Sequence, residues 1–284
     1  MTGAFKNDPA LKGELLARLP ASDLDQMERA QLMQAVLPQG DAEALAAFAE
    51  TYSLHPAFVQ LIQQLGTPPE VIAAVEPGAD TLRIVRQWLV AMNEQLRSRL
   101  DDGEIAAGAD RIAALHQAAL VGEQVDKRQW RQARNALAAR TDETADGMIA
   151  AALVSSAWDL GEMPGAAVDI LPALTRIAFA EVDLRMEWTE ADVARAAEVE
   201  QERTQAANDA AGPAPANADQ AWVASEEGQA WVMRYNQGLT DYDRDKPSKG
   251  IERHFARAAA YGDVRTKAAE VLIRAAANTA NVAA

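Results

Sequence analysis

The acidic run Asp241-Tyr242-Asp243-Arg244-Asp245, followed by Glu252, is the stretch whose residue types and spacing come nearest to a chemical site. Counted from Asp241, carboxylates fall at positions 1, 3, 5 and 12, the oxygen-ligand spacing of a helix-loop-helix calcium loop. The pattern departs from that loop at three points. Lys246 stands where the sharp turn needs Gly, Ser248 replaces the usual aliphatic residue, and Pro247 stiffens the segment between them. Lys246 and Lys249 also lower the negative charge a cation would meet. Calcium at Asp241, Asp243, Asp245 and Glu252 is therefore the single cofactor the spacing offers. Its alternative is a solvated turn whose Asp residues cap helices. No other cofactor is expected.

The remaining chemistry is conspicuous by its gaps. His55, His116 and His254 lie far apart, and none has a second His three or four residues away, so no zinc motif exists. His55 precedes Pro56 at a helix start and is expected to satisfy local backbone groups, while His116 sits beside Leu115 at the edge of a core. Ser155 and Ser156 lie in an apolar stretch, where a hydroxyl bonds back to a preceding carbonyl, and they lack the G-x-S-x-G context of a nucleophile. There is no Gly-rich phosphate loop, no Glu-x-x-His pair for a di-metal bundle, and no Cys at all. No residue is assigned a catalytic role. The leading expectation is a non-catalytic helical protein that binds a protein partner or a second copy of itself, as an adaptor, scaffold or inhibitor. An enzyme with a dispersed carboxylate and histidine site is the alternative from another class.

If the protein binds through a surface, the tryptophans indicate where. Trp88, Trp130, Trp158, Trp188, Trp222 and Trp231 are spread nearly one per expected helix, and core packing accounts for most of them. Trp222 and Trp231 differ. Gln220-Ala221-Trp222-Val223 recurs as Gln229-Ala230-Trp231-Val232, and nine steps along one helix would set the two indoles on opposite faces. Either both faces are covered or Gly228 separates two short helices. Trp222 and Trp231 are accordingly the candidate partner-binding residues.

These residues must be positioned by helices, because periodicity of 3.6 recurs throughout and no stretch alternates long enough for a strand. Asp8 and Pro9 open a first helix, and Ser22 opens a second that stops at Pro38. Leu82, Val85, Leu89, Met92 and Leu96 mark the clearest amphipathic helix, from Thr81 to Leu100. Met148 to Leu160 is apolar on all sides and predicts a buried helix. The spacing further predicts helices over 191–208, 248–261 and 263–277. The stretch 209–219, DAAGPAPANAD, reads as a linker. The expected picture is an all-α bundle of about 12 mostly short helices: a main domain over 1–208, the linker 209–219, and a helical segment over 220–284.

Composition bounds the partners. The chain has 284 residues, 27 Lys and Arg against 42 Asp and Glu, a net charge of −15, and 63 Ala. That charge repels phosphate backbones and anionic lipid, so neither nucleic acid nor a membrane is an expected partner. No apolar run approaches the roughly 20 residues of a membrane span, and Asp8, Glu14, Asp23 and Asp25 interrupt any secretory signal. With zero Cys, the expected compartment is the cytoplasm.

Three stretches carry a resemblance. Ala4 to Leu19 (AFKNDPALKGELLARL), Ala109 to Leu137 with RIAALHQAALVGEQVDKRQWRQARNAL inside it, and more weakly His254 to Ile273 resemble an uncharacterised family of Ala-rich bacterial proteins. The shared features are a helix-cap pattern and a W-x-x-A-x-x-A helix around Trp130; between Pro20 and Gly108 the chain departs from the pattern. The resemblance implies a bacterial source and an all-helical fold, and no activity.

Overall fold

A computed structural model describes residues 3–19, 36, 42–66, 68–215 and 218–280. Apart from Val36, the helix expected from Ser22 to Pro38 lies outside the described residues. Among the described residues the protein is all-α, with thirteen α-helices and no strand. They are α1 (Pro9–Arg18), α2 (Ala42–Tyr52), α3 (Pro56–Leu65), α4 (Pro68–Ala74), α5 (Thr81–Arg97), α6 (Gly103–Leu120) and α7 (Lys127–Ala138). There follow α8 (Ala145–Ser156), α9 (Ala166–Arg185), α10 (Glu190–Ala211), α11 (Gln220–Ala224), α12 (Glu226–Asp245) and α13 (Lys249–Ala280). None is long and apolar enough to cross a membrane.

The chain divides into two compact units. One comprises Met1–Ile177 with Gly262–Ala284, the other Ala178–Tyr261. Both divisions fall inside helices, within α9 and α13, and not at the 209–219 stretch. The physical reason is that α10 continues to Ala211 and packs along α12, so the 209–219 stretch falls inside the second unit. The helices expected over 248–261 and 263–277 are likewise one, because Gly262 sits in open space and is tolerated inside α13.

In the first unit α5 supplies the spine. Val85, Leu89, Met92 and Leu96 of the expected stripe are buried at steps of three and four, with Ile84 and Trp88 beside them, while Leu82 is half-buried. Trp88 is fully buried, and its indole N–H donates to the Ala268 carbonyl of α13 at 2.8 Å. Asp80 caps α5 by accepting the Leu82 and Arg83 N–H groups, and Asp126 opens α7 in a reciprocal capping box with Gln129. At the N-terminus Ala4 donates to Ala79 and accepts from Gly78, pinning the chain beside the start of α5. Phe5, Lys6 and Asn7 then turn with positive φ (55, 53 and 63°), a strained conformation that leaves Phe5 completely buried.

A polar cluster is enclosed where α5, α6 and α8 meet. His116 Nε2 donates to the Ser156 carbonyl at 2.9 Å, and the Ser156 hydroxyl lies 3.1 Å from Asn93 Oδ1 and 2.9 Å from the Leu153 carbonyl. Ser155 bonds back to the Ala151 carbonyl. The His116 ring rests against Trp130, centroids 4.7 Å apart, and its Nδ1 has no partner among the described residues. Burial lowers the His116 pKa from 6.5 to about 4, the Ser156 bond only partly opposing it.

The unfolded chain binds a proton at His116 more readily than the folded one, so folding stability from this residue is complete above about pH 6.5 and falls as pH drops toward 4. The loss reaches about 3 kcal/mol. Denaturant unfolding at pH 7.5, 5.5 and 4.5 should show the wild type losing more stability than His116→Leu, by about 2.5 kcal/mol at pH 4.5. Parallel pH profiles would refute the assignment.

Candidate functional site

The second unit is built on an antiparallel pair, α10 against α12. Its register is fixed by polar bonds: Arg203 donates through Nε and Nη2 to both Asp243 oxygens at 2.8 and 3.0 Å, and the Tyr242 hydroxyl donates to Glu202 at 2.8 Å. Farther along, Arg234 reaches the Ala211 carbonyl at 3.3 Å and the Trp231 indole donates to the Gly212 carbonyl at 2.8 Å. Close approach depends on small residues. A Cβ at Gly238 would fall 2.8 Å from the Ala210 Cβ and 2.9 Å from the Ala207 Cα.

The candidate tryptophans are brought together. The chain breaks at Ser225, three residues before Gly228, and Ser225 caps α12 by accepting the Gly228 N–H. That break folds α11 back so that the Trp222 and Trp231 rings meet edge to face, 6.1 Å apart, while Trp231 stacks on Tyr235 at 5.1 Å. Both indoles are half-buried, and the Trp222 Nε1 is enclosed without a partner among the described residues.

The calcium-loop candidates are not brought together. Asp241, Asp243 and Asp245 belong to the last turns of α12, and Glu252 to the first turn of α13. On a helix, alternate residues are rotated by about 200°, so Asp243 points away from Asp241 and Asp245, which share a face four residues apart. Each aspartate also has a counter-charge: Asp241 meets Arg244 at 2.9 Å, Asp243 meets Arg203, and Asp245 meets Arg244 at 2.8 Å. Among the described residues no group of three His, Asp or Glu is placed to hold a metal ion. The loop reading is corrected to a helix end, because Lys246 and Pro247 stop α12 instead of opening a ligand loop.

A stronger carboxylate interaction lies elsewhere. Asp183 on α9 accepts from Arg253 at 2.7 and 2.9 Å and is also bound by Arg257, both on α13. The Arg253 hydrogen bond, foremost, holds the Asp183 carboxyl below its usual range against the cost of desolvation. Arg253 also lies 4.2 Å over the Trp188 ring. Lys249 donates to Asp192, whose pKa falls to about 2 through that bond first and the Thr189 backbone and hydroxyl bonds next.

With the unit held by such bonds, its apolar core is small: Val199, Tyr242 and Ile251, with Ala206 against them. Many of its larger apolar side chains stay outside. Of the eight large hydrophobic residues exposed among those described, Leu184, Val193, Val223, Met233, Phe255 and Tyr261 all belong to 178–261, and Leu184 is 81% exposed. Sequence reasoning singled out the tryptophans and missed these. The signal was present as lone apolar residues on charged helices, such as Val193 among Glu190, Asp192 and Arg195.

The first unit contains a cleft of about 690 Å³ whose walls include Lys6, Glu50, Ser53, His55 and Asp80. His55 Nδ1 accepts the Ala57 N–H at 3.2 Å, so a neutral ring carries its proton on Nε2. Burial, the largest influence, lowers the His55 pKa, with Asp80 opposing. The ring is therefore a neutral hydrogen-bond donor near neutral pH. His254 lies on α13 in the second unit, and His116 in the core of the first. No protein-family model, curated protein or solved structure matches the chain.

The hairpin geometry generates its own test. Gly238→Val should destabilise the α10–α12 pair by about 1–3 kcal/mol, since Ala207 and Ala210 present backbone and Cβ atoms that cannot swing away. Hydrogen exchange over α10 would report the loss, and unchanged protection would contradict the packing described.

Proposed function

We propose that this protein acts by binding another protein, as a helical adaptor or inhibitor, and that residues 178–261 are the part that binds. The carrying observation is the concentration of exposed apolar side chains there, set on a frame whose shape is maintained by ion pairs and not by a large core. The Trp222, Trp231 and Tyr235 stack adds rigid aromatic area next to exposed Val223. Zero cysteines support the cytoplasm as the compartment.

The test is a comparison. The full chain and a Leu184→Ser, Val193→Ser, Met233→Ser, Phe255→Ser variant, both checked for helicity by circular dichroism, are used to capture partners from native lysate and are weighed by light scattering. A stoichiometric partner, or a second copy, held by the wild type and weakened at least about tenfold in the variant is expected, since each buried apolar side chain contributes about 1.5–3 kcal/mol. Equal retention by both chains would overturn the reading.

A second reading, an enzyme, is favoured by one observation: His55, Glu50 and Asp80 share the walls of one cleft. A neutral imidazole donor beside a carboxylate suits proton removal from carbon next to a carbonyl, with the N–H polarising the oxygen. Deuterium uptake from solvent into hydroxyacetone, followed by NMR, should fall at least about tenfold in His55→Gln and stay unchanged in His254→Gln. Equal rates in the two variants would dismiss it.

A further inference from the structure

Helix α7 runs against the charge of the whole chain. From Lys127 to Arg140 there are five cations, Lys127, Arg128, Arg131, Arg134 and Arg140, and no Asp or Glu, in a protein whose net charge is −15. Trp130, Ala133 and Leu137 bury one face. At about 100° per residue, Arg134, Lys127, Arg131 and Arg128 follow one another around a single flank within an arc of about 120°. Lys127 pairs with Glu162 at 2.7 Å, and Arg140, on another side, pairs with Glu104. Among the described residues no carboxylate pairs with the side chains of Arg128, Arg131 or Arg134.

This arrangement is costly in three ways. Arg128 and Lys127 occupy the first turn of α7, where the helix dipole disfavours cations. Asp126 precedes them and accepts the Arg128 backbone N–H through Oδ1, and it makes no ion pair with either side chain. Arg131 and Arg134 are close enough to repel, and Arg134 is partly desolvated; burial first, and then Arg131, lower its affinity for its proton. Arg134 is also immobilised. Its Nη1 donates to the Ala157 carbonyl at 2.6 Å and its guanidinium lies 3.4 Å over the Trp158 ring. One fork is thus fixed in place with N–H groups to spare, one turn from the exposed Arg131 and two turns from the exposed Arg128, and among the described residues no carboxylate pairs with any of the three. An unpaired, oriented guanidinium row is stabilised when an oxyanion completes it.

We infer that the Arg128, Arg131 and Arg134 flank of α7 is a binding site for a compact polyphosphate-type oxyanion, such as a di- or triphosphate group. Phosphate suits the guanidinium fork, and the three arginines rise about 4.5 Å per step along the helix, a short row matched to a small multivalent anion. Compactness follows from screening. Within a Debye length of about 8 Å the ligand meets mainly the local row, whereas a long polyanion such as duplex DNA would also meet the protein's excess of negative charge. The site lies in the first unit and does not depend on the protein-binding reading of 178–261.

The experiment is calorimetric titration of the full chain with inorganic triphosphate, citrate and a 20-base-pair duplex at 50 and 200 mM salt. Triphosphate should bind, and more weakly at high salt. Arg128→Gln with Arg131→Gln should weaken it at least tenfold, while Arg176→Gln with Arg185→Gln, an equal charge change on exposed arginines of α9, should leave it within twofold. Four outcomes would overturn the inference: no triphosphate binding, equal weakening in both double variants, citrate binding as tightly, or tighter binding of the duplex.

Discussion

The single donor of the Trp88 indole constrains the whole chain. It is completely buried in the first unit, where an unmet N–H costs about 1–3 kcal/mol, and its acceptor is the Ala268 carbonyl, 180 residues later. The last helix must therefore return to the unit the chain began. Ala268, Ala269, Leu272 and Ala276 follow that bond into the core, and their small size lets α13 lie close. Everything from 178 to 261 becomes an excursion between two helices already committed elsewhere, α9 on the way out and α13 on the way back.

That topology explains which features the sequence made legible. Local signals survived: the Asp8 cap and the stripe of α5 depend on neighbours within one or two turns, and the apolar stretch from Met148 is helical and buried as far as Ser156 before the helix stops short of Leu160. Features decided across the chain did not. Gly262 and Asp263 resemble a break between helices, yet docking of 268–276 on the core carries α13 through them. The DAAGPAPANAD stretch resembles a domain linker because its composition cannot report that Arg203 meets Asp243 across it.

The candidate sites divided along the same line. The two tryptophans were readable as a pair, but the position of the break, Ser225 and not Gly228, was set by which hydroxyl could cap α12. The acidic run had calcium-like spacing only on the premise of a loop; once 241–245 is helical the same residues diverge toward Arg203 and Arg244. The arginines of α7 stand out in the sequence as a run without acids, but only the structure shows that Glu162 and Asp159 are taken up by Lys127 and Arg86.

The long span of the Trp88 bond also has a consequence for biogenesis. A ribosome adding roughly 5–20 residues per second needs roughly 9 to 36 s to pass from Trp88 to Ala268. Throughout that interval the core of the first unit lacks its last helix. Residues 178–261 are contiguous, and their α10–α12 pairing needs nothing synthesised later than α12, so that hairpin can form while the older part of the chain is still open. The order of synthesis is then the reverse of the order of completion, and the apolar surface around Trp88 that awaits α13 is the part of the nascent chain most in need of a chaperone.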